Sequence, residues 1–179
     1  ETVRESEARF KAIFNNAAVG IGVIDTQGRY LQINAKWAEM LGYSVAELTH
    51  LTIADTIHPE DLEKSRIKLQ QLVTDSNITF NQLEKRFICK DGEVFWANVW
   101  AAPLYDADNN LLAIIGIIID ITQRKQLEEK LQSHLQFLET LMNTLPLPIF
   151  YKDTKGVYLG CNLAFSNFVG KTADELRGK

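Results

Sequence analysis

Apolar residues at Val3, Phe10, Ile13 and Phe14 fall near one stripe of a helix, so residues 1 to 16 predict an amphipathic helix that packs on something. The run "VGIGVID" then breaks at "TQG" and resumes as "RYLQIN", which reads as strand, tight turn and strand, with Gly28 supplying the permissive turn dihedral. Asn34 suits an N-cap, and "AKWAEML" sets Trp37, Met40 and Leu41 on one helical face before Gly42 stops it. Ser44 with Glu47 forms a capping-box pattern ahead of another short helix. A longer helix starts at Pro59, with Glu60 and Asp61 placed where the dipole favours negative charge, and its apolar Leu62, Leu69, Leu72 and Val73 are expected to face inward. Three strands follow, "ITFNQLEKRFIC", "EVFWANVWAAPLY" and "LLAIIGIIIDI", separated by the turns "KDG" and "DADNN". Two strands, short helices and a three-strand meander give an α+β fold, an antiparallel sheet with its helices gathered on one face.

Beyond the last strand the periodicity changes. Leu127, Leu131, His134, Leu138, Leu141 and Leu145 follow at steps of 4, 3, 4, 3 and 4, a heptad seam on a helix that Asp120 and Gln123 can cap. At about 1.5 Å per residue a helix over residues 122–145 runs roughly 36 Å and stops where Pro146 and Pro148 forbid its continuation. A narrow seam asks for a partner, most simply a second copy in a parallel coiled coil; packing onto its own domain is the plainer alternative. His134 then sets register within the seam. The residue after it is Leu135, which argues against a phosphoacceptor role, and pH sensing by paired His134 side chains is a further possibility.

The chain also repeats itself. "DTQGRYLQINAKWAEMLGYSVAEL" from Asp25 has a counterpart in "DTKGVYLGCNLAFSNFVGKTADEL" from Asp153, offset by 153 − 25 = 128 residues, with Gly28/Gly156, Asn34/Asn162 and Gly42/Gly170 in one register. A period this long is domain-sized. The expected organisation is a leading helix over 1–17, a complete domain over 18–123, a coiled-coil linker over 124–145 and the start of a second copy over 146–179. That last piece is expected to be marginal unless it docks on a neighbour, and the chain to be part of a longer protein.

Composition narrows the function. A formal charge of −4 without clustered Lys and Arg offers no footprint for nucleic acid. The longest apolar run, Leu111 to Ile119, is far short of the roughly 20 residues that span a bilayer. No signal-peptide pattern follows Glu1, and Cys89 and Cys161 form no disulfide or metal-like spacing, which suits a reducing, cytoplasmic setting. The "DADNN" turn lacks the Gly and the bidentate Glu of a calcium loop, and "VGIGVID" lacks the third Gly of a dinucleotide fingerprint. No hydroxyl or thiol nucleophile sits in a motif with a base, so no catalytic site is expected.

"N-x-x-W-x-x-M-L-G-Y" at Asn34 to Tyr43, "IHPED" at Ile57 to Asp61, "KDGEVFW" at Lys90 to Trp96 and "DIT" at Asp120 to Thr122 together resemble the PAS family of sensor domains. The resemblance implies a five-stranded antiparallel sheet of order 2-1-5-4-3, helices over a small ligand-holding cavity, and a signalling, non-enzymatic role. Trp37, Met40, Leu41, Ile53, Leu72, Phe87, Ala97 and Val99 are assigned to the cavity wall, and Asp120 and Thr122 to the junction that passes a signal on. Haem-binding relatives place an axial His on the long helix, which here has none, and flavin-adduct relatives need a Cys that residues 44–58 lack; both cofactors are disfavoured, while a flavin stacked near Trp37 without a covalent bond stays open. Alternation turns Trp96 and Trp100 to the outer face of the sheet, under the leading helix or in a homodimer interface. The second copy resembles PAS domains placed ahead of histidine kinase or diguanylate cyclase outputs. The rival reading is a ligand-free dimerisation module whose cavity is filled by side chains.

Overall fold

The structure is a computed structural model that describes residues 3–179, so the predicted helix start at residues 1 and 2 lies outside the described residues. Helix α1 (Val3–Asn16) forms where spacing placed it but buries only Phe14, leaving Val3, Phe10 and Ile13 exposed. A lone helix of this length is marginal in water. Its anchor is polar: the Phe14 carbonyl accepts from the Asn34 side chain at 2.9 Å.

Strands β1 (Gly20–Ile24) and β2 (Tyr30–Ile33) make the first hairpin. Asp25 accepts from the Gln27 and Arg29 amides, and Gly28 takes φ 84°, a left-handed dihedral that a β-carbon would oppose. Helix α2 (Ala35–Leu41) begins at the Asn34 cap and ends at Gly42 in the left-handed region. Helix α3 (Val45–Leu48) carries the Ser44–Glu47 box. Helix α4 (Ile53–Thr56), which the sequence did not announce, repeats that device with Thr52 and Asp55 and is tied to the hairpin by an Ile53 amide to Gly28 carbonyl bond of 2.8 Å. Helix α5 (Pro59–Thr74) turns Ser65 and Leu72 into the core. Leu62, expected inward, stays 37% exposed, because Arg86 on the sheet edge grips Asp61 and Glu60 and holds the first turn there.

Strands β3 (Asn81–Ile88), β4 (Val94–Tyr105) and β5 (Leu111–Asp120) complete a sheet of order β2-β1-β5-β4-β3, antiparallel throughout. This is the predicted order. Strand β3 starts later than expected: the Ile78 amide closes a turn on the Asp75 carbonyl, and pairing begins only at Asn81 opposite Ala101. The helices cover one face, where Trp37 packs edge-on to Tyr30 and Phe87 at centroid distances of 5.9 and 6.4 Å. Its ring lies over the cross-strand pair Gly22 and Gly116, and a β-carbon at Gly22 would come within 3.2 Å of it.

The chain divides into two compact units, residues 1–123 and 124–179. Helix α6 (Thr122–Thr144) runs through that division and buries none of its residues. The second unit continues with strands β6 (Phe150–Lys152) and β7 (Tyr158–Cys161) and helices α7 (Leu163–Val169) and α8 (Ala173–Leu176).

Here the repeat becomes chemistry. Asn34 accepts from the amides of Ile21 and Trp37 and donates to the carbonyls of Phe14 and Val19. Asn162 accepts from Ile149 and Phe165 and donates to Met142 and Leu147, these four partners displaced by the same 128 residues, and has one longer bond of its own to the Leu145 carbonyl at 3.5 Å. The end of α6 therefore stands to the second copy as α1 stands to the first.

Candidate functional site

Between the inner sheet face and the helices lies a cavity of about 70 Å³. It exists because the sheet floor is small: Gly22 on β1, Gly116 on β5 and Ala101 on β4 contribute little or no side chain. On the same measure one water needs about 10–15 Å³, so the space suits a handful of heavy atoms.

Of the residues assigned to the wall from sequence, Trp37, Ile53, Leu72, Phe87 and Val99 line the cavity. Leu41 and Ala97 are wholly buried in the surrounding core and do not border it. Met40 is half-buried at the margin of that core, its backbone carbonyl accepting from the Cys89 thiol. Alternation in β4 correctly sends Phe95, Ala97 and Val99 to the helix-covered face.

Sequence reasoning passed over the polar residues of the wall, namely Ser65 and Lys68 on α5 and Asn81 and Lys85 on β3. The Ser65 hydroxyl donates to the Asp61 carbonyl, and the Asn81 side chain donates to the Lys68 carbonyl at 2.8 Å, so each is tied to the backbone of α5. Lys85 is buried at 8% exposure, and desolvation brings its ammonium down to about 8. Nearby, burial pushes the Tyr30 phenol up to about 12, and its hydroxyl meets that of Thr56 at 3.0 Å. A signal for Lys85 was present, since it falls in phase with Leu83 and Phe87 on the inward side of β3, but it sits inside the charged run Glu84-Lys85-Arg86 that masks the alternation.

The junction residues meet one edge of this site. Ile121 donates its amide to the Trp96 carbonyl at 2.8 Å, and the Trp96 amide donates to the Thr122 hydroxyl at 3.0 Å. Asp120 accepts from the Thr122 amide at 2.8 Å, so Thr122 takes the place expected for Gln123 at the helix start. The first residues of α6 thus continue the β4 ladder three residues from Val99 in the cavity wall. Thr122→Val is expected to cost about 1 kcal/mol and to speed exchange of the Trp96 amide roughly fivefold, read by hydrogen-exchange NMR.

On the outer face Trp96 and Trp100 are half-buried, and the Arg86 guanidinium lies over the Trp96 ring at 5.3 Å. Along α6, Leu127, Leu131 and Leu138 are between 55% and 62% exposed, and His134 is exposed with them. His58 caps α5 by accepting weakly from the Glu60 amide. Burial raises the Cys89 thiol, the opposite of activation. Asp106 spends its carboxylate within its own turn, on the amides of Asp108 and Asn110 and the Asn110 side chain. Among the described residues no group of three His, Cys, Asp or Glu is placed to hold a metal, and no helix is long and apolar enough to cross a membrane.

The family model described as PAS fold matches residues 8–121. The probable diguanylate cyclase DgcE of Escherichia coli K12 is 32% identical over 141 residues, which are 79% of this chain and 13% of that protein. The sensor histidine kinase TmoS of Ectopseudomonas mendocina is 31% identical over 133 residues, 74% of this chain and 14% of its own length. The chain thus spans about one seventh of these relatives. Among solved structures, the PAS domain of a Colwellia psychrerythraea protein superposes with a TM-score of 0.60 at 23% identity, over 68% of this chain and 99% of that one.

Proposed function

The chain belongs to the PAS family of sensory domains, and on that premise we propose that it is a cytoplasmic signal-input module that binds a small molecule in the α5/β3 cavity. The observation that carries this reading is an apolar cavity whose β4 wall is hydrogen-bonded, at Trp96, to the first turn of α6. A ligand that prefers one arrangement of that wall shifts the population of both, and Asp120 and Thr122 pass the difference to the helix. In the whole protein an output of the diguanylate cyclase or histidine kinase class follows, as the names of the relatives suggest. A native mass spectrum of the purified chain tests it, because bound mass and subunit number appear together. Extra mass that is lost when the cavity is filled by Ala101→Leu supports the reading; extra mass that survives the substitution, or none, counts against it.

A second reading, dimerisation without ligand, is favoured by the leucine seam that α6 leaves exposed. The two combine if a second copy of the chain covers α6 as a parallel coiled coil, with His134 in the seam. Burying one leucine contributes about 1.5–3 kcal/mol, so the double variant Leu131→Glu/Leu138→Glu is expected to weaken association more than about 100-fold. Sedimentation equilibrium decides: a variant that self-associates as the parent does removes α6 from the interface.

A further inference from the structure

Lys85 points to what the cavity holds. Its side chain lies on the inward face of β3 beside Leu83 and Phe87, at the cavity wall. Among the described residues its ammonium has no hydrogen-bond acceptor and no ion-pair partner; what it meets is the face of Phe87, 5.2 Å from Nζ to the ring centroid. Among the described residues the carboxylate that favours its charged form is that of Asp61. That carboxylate is already engaged by the Arg86 amide, Nε and Nη2 at 2.8, 2.9 and 3.0 Å. A second cation, the half-buried Lys68 of α5, borders the same space, and among the described residues no Asp or Glu does.

A desolvated cation without a counter-charge is costly for a fold to keep. At neutral pH Lys85 is still mainly protonated despite its burial. Apart from the two lysines and the buried Trp37 indole N–H, which has no acceptor among the described residues, the wall is apolar or, at Ser65 and Asn81, bonded to backbone carbonyls. Such a wall is complementary to a small anion with a hydrocarbon body.

We propose that the cavity binds a short-chain organic carboxylate, its carboxylate paired with the Lys85 ammonium and its apolar body against Leu72, Phe87 and Ile114. This inference rests on the ligand-binding reading above and narrows it to a chemical class. Lys68 stands nearer solvent and adds to the attraction without being the anchor.

The test titrates the whole chain with two matched series, straight-chain carboxylates from acetate to hexanoate and the corresponding primary amides, by ligand-observed NMR and thermal shift. Acid and amide are close in size and differ in charge. At the best chain length the acid is expected to bind about 10- to 100-fold tighter than the amide, the range of a charge-assisted hydrogen bond. Lys85→Met should bring the two within about twofold of each other, while Lys68→Met keeps most of the difference. The comparison on the unaltered chain requires no variant to fold. Equal binding of acid and amide overturns the role of Lys85 and leaves the cavity as a ligand site. Failure of both series to bind the unaltered chain and Lys85→Met overturns the cavity reading along with it.

Discussion

Asn34→Ala is expected to lower the stability of the first unit by about 3–5 kcal/mol, more than any other single polar substitution in it. The side chain is fully buried and uses both its oxygen and its amide nitrogen twice. Alanine leaves two amides and two carbonyls without it, and each buried group stranded in this way costs about 1–3 kcal/mol, reduced where water or a small shift can reach it. For a domain whose total stability is about 5–15 kcal/mol, such a loss approaches unfolding. Tryptophan fluorescence in urea isolates the effect, because Trp37, Trp96 and Trp100 are the three tryptophans of the sequence and all belong to the first unit. Asn162→Ala, which strands the equivalent groups of the second unit, should leave that transition where it was. A midpoint shift worth less than about 1 kcal/mol for Asn34→Ala would show that the four bonds are replaceable.

Lys85→Met should act in the opposite sense and stabilise the ligand-free chain by about 2–3 kcal/mol at pH 7. Methionine is one atom shorter than lysine, equally unbranched, and has no charge to desolvate. The sign follows from proton binding. Burial lowers Lys85 in the folded state to about 8, below its unfolded value. Between the two values the unfolded chain holds more protons, so stability rises with pH from about 8 toward 10.4, and the penalty is fully present below that window. Tyr30 works against this at higher pH: held neutral up to about 12 when folded, it favours the unfolded chain once pH passes about 10. Of the charged groups on the packed elements, Asp61 offsets part of the penalty, and Lys68 shares the cavity. Denaturation of parent and variant side by side from pH 7 to 10 cancels Tyr30 and leaves Lys85. Two curves that stay parallel would mean that the ammonium is solvated after all. A carboxylate that pairs with Lys85 should remove most of the difference at pH 7.

Much of this was legible in advance, for identifiable reasons. Gly28, Gly42, Ser44, Glu47 and Pro59 act through local stereochemistry, which needs no tertiary context, and each sits where the turn or cap requires it. Alternation in β4 is clean because one face is covered by helices and the other is not. Helix α4 escaped notice because four residues cannot display a period, and its anchor to Gly28 is a tertiary bond. Leu62 was misjudged because a stripe of apolar residues does not tell where the first turn of a helix overhangs its sheet. The wall fared unevenly: Trp37, Ile53, Leu72, Phe87 and Val99 are large and apolar in the right phase, whereas Lys85 violates the usual inside-outside rule, and such a violation shows only once the burial is known.

The two asparagines also decide where the chain can be divided. Thr122 supplies the hydroxyl that accepts from the Trp96 amide in the first unit, and Met142 supplies the carbonyl that accepts from Asn162 in the second, so the two ends of α6 answer to different units. A cut before Thr122 takes an acceptor from the first unit and a cut beyond Met142 takes one from the second, so a dissection that spares both bonds has to fall inside the helix.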